Sequence, residues 1–261
     1  MKTRIISAII MALIGIPILI VGKMPFIIFA SMLALMSFKE LLDLKKSHNE
    51  YPIVIVLISL IGLLLLVLSN IKGYTLTSGS IYKKMLFLLG IILLLSIFYK
   101  KDSYDTKDAF YLLGITFFIG ICFNLLILLR LESIYEVIYV FTIAILTDAF
   151  AYFGGMLFGK HKLCELSPKK TWEGSIVGLV FGTTGGVLVQ TYLLDGFSFK
   201  ILLITLILSI VGQMGDLFFS KIKRENGIKD FSNVIPGHGG ILDRMDSVLF
   251  IILAYAAIML I

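Results

Sequence analysis

Apolar residues run along this chain in blocks of about 20 separated by short polar stretches, and about 20 residues is the length a helix needs to cross a bilayer's hydrocarbon core. Matching the blocks to that length predicts about nine helices, near residues 4–22, 24–42, 52–70, 82–99, 108–129, 133–158, 174–194, 199–219 and 240–261. The second has the weakest pattern. Its apolar core from Pro25 to Phe38 is short for a full span, and Leu41, Leu42 and Leu44 extend it only as an interfacial turn. No small-x-small cleavage pattern follows the apolar run that ends at Val21, so the first block reads as a retained helix. Nothing is left over to build a soluble domain, and the expected class is an all-α, polytopic integral membrane protein.

Composition agrees: 59% of residues are hydrophobic, 15% are charged, and the mean hydropathy is +1.01. With the N-terminus on the cytoplasmic side, 16 of the 23 Lys and Arg fall in inner segments and 6 in outer ones, while Arg244 lies in the last helix. Positive loops are retained inside, so this bias predicts a cytoplasmic N-terminus. The net charge of +6 is then a topology signal, and no nucleic-acid partner is needed to explain it. Cys122, in an apolar block, and Cys164, in a basic loop, support neither a disulfide framework nor a thiolate metal site.

Ionisable residues divide the chain in two. Residues 1–130 keep their polar groups in loops and read as scaffold helices. Residues 131–261 place Glu136, Asp148, Asp216, Asp243, Arg244 and Asp246 at or inside helix ends, and carry two basic loops, 159–174 and 220–240, expected on the cytoplasmic side. A carboxylate at the middle of a membrane helix costs about 2.5–3.5 kcal/mol on insertion scales, so each aspartate needs a partner or water. Asp243 and Asp246 are three apart, on one helical face with Cβ atoms about 5–6 Å from each other, where like charges call for a cation between them. Carboxylate oxygens without a Cys or His cluster favour magnesium, which takes one or two carboxylates and completes its shell with phosphate and water. Plain ion pairs to Arg244, Lys223, Arg224 or Lys229 are the competing explanation.

Around that pair the sequence gathers groups suited to phosphate. Pro236-Gly-His-Gly-Gly240 leads into the last helix, and backbone N–H groups at such a start point at an anion. Ser220, Lys221, Lys223, Arg224 and Lys229 precede it. In the other loop, Ser167-Pro168 reads as an N-cap and first helical residue, so that Lys169 and Lys170 decorate a short interfacial helix. Anionic lipid headgroups would satisfy either loop alone; two on one face suggest a pocket for several phosphates. His48 and His161 read as loop residues, and His238, held between glycines, is the histidine suited to phosphate contact or proton handling. Gly174, Gly178, Gly182 and Gly186 recur every four residues, a stripe for close helix packing or, alternatively, for a homodimer contact or substrate groove.

The run from Ser220 to Asp246, with its Lys223-Arg224 and Lys229-Asp230 pairs, His238-Gly-Gly240 and Asp243-Arg-Met-Asp246, resembles the signature of the phosphatidate cytidylyltransferases, or CDP-diacylglycerol synthases. Asp148-Ala-Phe-Ala-Tyr-Phe-Gly-Gly, Gly159-Lys160, Ser167-Pro-Lys-Lys-Thr-Trp-Glu-Gly174 and Gln213-Met-Gly-Asp216 are similar to other blocks of that family, in the same order. The resemblance implies a Mg2+-dependent membrane enzyme that joins CTP and phosphatidic acid into CDP-diacylglycerol and pyrophosphate at the cytoplasmic face of the cell membrane. It assigns Asp216, Asp243 and Asp246 to metal and catalysis together with Lys223 and Arg224. Lys169, Lys170, Lys229, Ser220, His238 and Arg244 would bind substrate, Asp148 would complete the charge network, and a second cation is compatible with the cluster. On this reading Asp243→Asn abolishes activity and leaves the chain folded. Ion transport is the rival class, but it predicts midplane acids and an internal repeat, which the sequence lacks. Enzymes that join a CDP-activated lipid to an alcohol carry an Asp-Gly and Ala-Arg pattern that is also missing, whereas a relative acting on another lipid phosphate fits the same residues.

Overall fold

A computed structural model describes residues 2–44, 51–69, 71, 87, 89–99, 104–194 and 196–259. Among them the chain is all-helical, with α1 (Lys2–Val21), α2 (Lys23–Asp43), α3 (Ile53–Val67), α4 (Thr106–Glu132), α5 (Ile134–Phe158), α6 (Trp172–Leu193), α7 (Phe199–Glu225) and α8 (Leu242–Met259). Residues 89–95 are helical as well, and the rest of the expected 82–99 helix lies in part outside the described residues. So do His48, Lys45, Lys46, Lys72, Lys83, Lys84, Lys100 and Lys101, which carry much of the charge bias. Five helices, α2 and α4 to α7, are long and apolar enough to cross a membrane. The helix with the weakest apolar pattern, expected over 24–42, is α2, a single helix of 21 residues.

The chain forms two compact units. The first comprises Met1–Leu128 and, from far along the chain, Phe231–Ile241. Its helix ends are closed by side chains that reach orphan carbonyls. Tyr111 donates to the Leu41 carbonyl at 2.7 Å, and the buried Asn124 amide donates to the Val67 and Ser69 carbonyls at 2.9 and 2.7 Å, closing α3. At the start of α4, Asp105 accepts from the Asp108 N–H at 2.8 Å while Asp108 accepts from the Asp105 N–H at 3.1 Å, a reciprocal cap.

The second unit, Leu129–Asp230 with Leu242–Ile261, exposes large apolar side chains that a soluble bundle would bury. Along α7 the large apolar Leu203, Ile207, Ile210, Met214 and Phe218 are exposed, at the three- and four-residue spacing of one helical face. The buried face of the same helix mixes Leu208 and Phe219 with small or polar residues: Thr205, Ser209, Gly212, Gly215, Ser220 and Lys223. Lipid solvates the first face, and interhelical hydrogen bonds occupy the second. Tyr139 meets Thr205 at 2.7 Å, Thr147 meets Ser209 at 2.8 Å, and Ser175 donates to Gln213. The glycine stripe of α6 faces α5. A Cβ on Gly178 would stand 2.5 Å from the Thr147 carbonyl oxygen, and one on Gly174 2.5 Å from that of Ala151. The stripe thus serves close packing within the chain, and the space an alternative dimer contact or groove would use along it is taken by α5.

Candidate active site

The polar face of α7 becomes ionic toward its C-terminal end, running from Gln213 through Asp216 and Ser220 to Lys223 at steps of three or four residues. Hydropathy predicts that this helix ends at 219, with Ser220 to Arg224 in a loop. Instead α7 continues to Glu225. Lys221 pairs with Glu225 one turn on at 3.7 Å, and Arg224 donates to the Ile228 carbonyl at 3.0 Å, so the basic residues that leave the apolar layer extend and close the helix.

Asp216 is held by the Lys170 ammonium and accepts a long 3.4 Å bond from the Ser220 hydroxyl. Lys170 arrives from the loop between α5 and α6, which folds differently from the interfacial helix expected there. Ser167 to Lys170 form a turn closed by the Lys170 N–H on the Ser167 carbonyl at 3.0 Å. The helix cap is Thr171, four residues later, whose hydroxyl accepts from the Gly174 N–H at 3.1 Å. The loop is tied off at both ends. The Leu163 N–H donates to Lys170 at 2.8 Å, the Trp172 N–H donates to His161 at 3.0 Å, and Glu173 receives the Lys160 and His161 N–H groups and His161 Nδ1. His161, expected to be an uninformative loop residue, thereby helps hold the segment that aims Lys170. Lys169, next to it, is exposed.

On α8 the two aspartates of the signature do different things. Asp243, 8% exposed, accepts from the Lys223 ammonium at 2.7 Å, one of the ion pairs the sequence allows. Asp246 has Asp216, Asp148 and Lys223 as electrostatic neighbours and accepts from the N–H of its neighbour Ser247 at 2.9 Å. Asp148, on α5, accepts from the Ser247 hydroxyl at 3.1 Å and has Lys170 and Arg244 as electrostatic neighbours. The structure therefore gathers Asp148, Asp216 and Asp246 with Lys170, Ser220 and Ser247, and sets the Lys223–Asp243 pair in the same unit. Among the described residues no three acidic, His or Cys side chains are grouped closely enough to hold a metal by themselves. Ser247 escapes a sequence reading because a serine one residue past the signature carries no distinguishing pattern.

His238 and the glycine-rich segment belong to the first unit. Ile235 to His238 make a turn, the His238 N–H donating to the Ile235 carbonyl at 2.9 Å, with Pro236 second and Gly237 third at φ +77°. Gly239 also has positive φ, at +84°, so glycine is needed at both places. His238 Nδ1 lies 2.7 Å from the Ser7 hydroxyl of α1. Just past the glycines, the Ile241 N–H donates at 2.8 Å to the Glu40 carboxylate of α2. Lys229 is exposed.

The profile described as the cytidylyltransferase family matches residues 2–261. A protein named phosphatidate cytidylyltransferase from Staphylococcus haemolyticus (strain JCSC1435) is 38% identical over 258 residues, covering 97% of this chain and 96% of its own length. Proteins of the same name from Staphylococcus aureus (strain COL) and Staphylococcus epidermidis (strain ATCC 35984) are 39% identical over 255 residues and 36% over 254, with the same coverage of both chains. Matched along its whole length, and with the signature's lysines and aspartates brought together on α7, α8 and the loop before α6, this chain belongs to the cytidylyltransferase family and is a membrane nucleotidyltransferase.

Proposed function

We propose that the protein transfers the cytidylyl group of CTP to phosphatidic acid, at the cytoplasmic face of a cell membrane that it crosses nine times with its N-terminus inside. The observation that carries this reading is the likeness, over 97% of the chain, to relatives named for that reaction. A phosphatidate oxygen attacks the α-phosphorus of CTP, the bond from that phosphorus to the bridging oxygen breaks, and pyrophosphate leaves with the electron pair. The lipid phosphate is already a competent nucleophile, so the protein's work is positioning and charge neutralisation. That suits a site rich in Lys and Asp.

Lys169, Lys170, Lys223, Arg224 and Lys229 bind phosphate oxygens, and Ser220, His238 and Arg244 orient them. The donor set of Asp216, Asp243 and Asp246, supported by Asp148, fits Mg2+, which needs only one or two carboxylates when phosphate completes its shell. Bound there, the ion supplies positive charge to the triphosphate. Lys170 and Lys223 meanwhile offset the charges of Asp216 and Asp243, and an arriving triphosphate is a competing anion for the same two lysines.

Purified protein in detergent, given CTP, phosphatidic acid and Mg2+, is expected to release pyrophosphate and form CDP-diacylglycerol, and to do neither with ATP or GTP. No product from folded protein offered several lipid phosphates would overturn the reading and favour transport. Cys164 tests the orientation, because the chain's other cysteine, Cys122, is buried. An impermeant maleimide should label Cys164 only after the membrane is opened; labelling of intact cells would place this loop outside.

A further inference from the structure

Glu40 sits in the segment the sequence assigns to scaffold, yet it is a carboxylate only 4% exposed. An acid that deep is costly unless its oxygens are hydrogen-bonded. Its partners come from almost two hundred residues along the chain: Oε1 accepts from the Ser232 hydroxyl at 2.7 Å and from the Ile241 N–H at 2.8 Å. Gly240 completes the fit, since a Cβ there would lie 2.4 Å from the same oxygen. One carboxylate therefore grips the signature segment near its start and at its last residue, and the glycine between them leaves room for it.

We propose that Glu40 is a positioning residue for the reaction, the internal anion that sets the 231–241 segment, which carries His238. The Ser7–His238 contact pins the middle of the same segment. Charge-assisted bonds are roughly twice as strong as neutral ones, which explains why an acid stands where an amide could also accept both donors. The proposal rests on the phosphatidate cytidylyltransferase reading for its activity arm and on the fold alone for its exchange arm.

The test uses the full-length chain with Glu40→Gln and Glu40→Ala, assayed well below each variant's unfolding midpoint. A displacement of about 1 Å at a reacting centre costs on the order of 100-fold in rate. Glu40→Ala should accordingly lose about 100-fold in kcat, and Glu40→Gln, which keeps an acceptor oxygen, about 10-fold, with KM for CTP changed by less than about threefold in both. Hydrogen exchange across 231–241 should quicken in Glu40→Ala, with peptides of α5 and α6 unchanged. A kcat within about twofold of wild type, a loss of activity that only tracks the loss of folded protein, or unchanged exchange would each overturn the positioning role. Wild-type protein that makes no CDP-lipid would instead refute the reaction, and the exchange measurement would still decide the clamp.

Discussion

Lys223→Met breaks the deepest ion pair described in the second unit. The Asp243 side chain is 3% exposed, that of Lys223 11%, and their atoms are 2.7 Å apart. Removing the lysine takes from a buried carboxylate the cation 2.7 Å away, and breaking such a pair costs about 3–5 kcal/mol. At about 1.4 kcal/mol per tenfold, the ratio of folded to unfolded protein should fall by roughly two to three and a half powers of ten. Because an uncompensated buried charge carries the penalty, Lys223→Met with Asp243→Leu should regain most of the loss. Thermal or denaturant unfolding in detergent, followed by helical circular dichroism, measures all three proteins. A single variant within about 0.5 kcal/mol of wild type, or a double variant no better than the single, would refute the burial argument. The same geometry revises an expectation from the sequence: Asp243→Asn takes the charged partner from the buried lysine, so it should lose stability as well as activity.

Gly178→Val should push α5 and α6 apart, since its Cβ would stand 2.5 Å from the Thr147 carbonyl oxygen; a loss of about 1–3 kcal/mol is expected in the same unfolding assay, and more if the helices cannot shift. Lys170→Gln removes the cation from Asp216 and a phosphate ligand together, and should raise KM for CTP by about tenfold while the lipid KM moves little, as steady-state kinetics will show. Chelation of divalent metal should abolish product formation and added Mg2+ should restore it, measured by pyrophosphate release; activity that survives chelation would remove the metal from the mechanism.

Helix positions were legible because the apolar layer imposes one length on every span, and α5 begins and ends within a residue of its expected bounds. Hydropathy reports where the bilayer ends, however, and a helix can run further. That is why α7 continues six residues past 219, with Lys223 and Arg224 favourably placed in its last turn. The cap before α6 was misread for a related reason: Ser167-Pro168 has cap chemistry, but Thr171 stands directly ahead of the helical run and takes the bond. Asp216, Asp246 and Lys170 were legible as charged residues with nothing apolar to do. The separate pairing of Asp243 was not, because the spacing of three places two acids on one face but leaves their partners on other helices undetermined. Glu40 had a weak signal, as the one acidic residue between Met24 and Leu42.

Ordering of synthesis gives the discontinuity of the first unit a consequence of its own. Glu40 emerges from the ribosome early, and its partners Ser232 and Ile241 emerge some 190 to 200 residues later. Until then a carboxylate destined for a 4% exposed position lacks both of those donors. The N-terminal helices can insert, but the unit they belong to is finished only near the end of translation. A gene split at residue 128 would therefore not yield a scaffold and a catalytic half: one fragment would carry the clamp and the other the segment it holds.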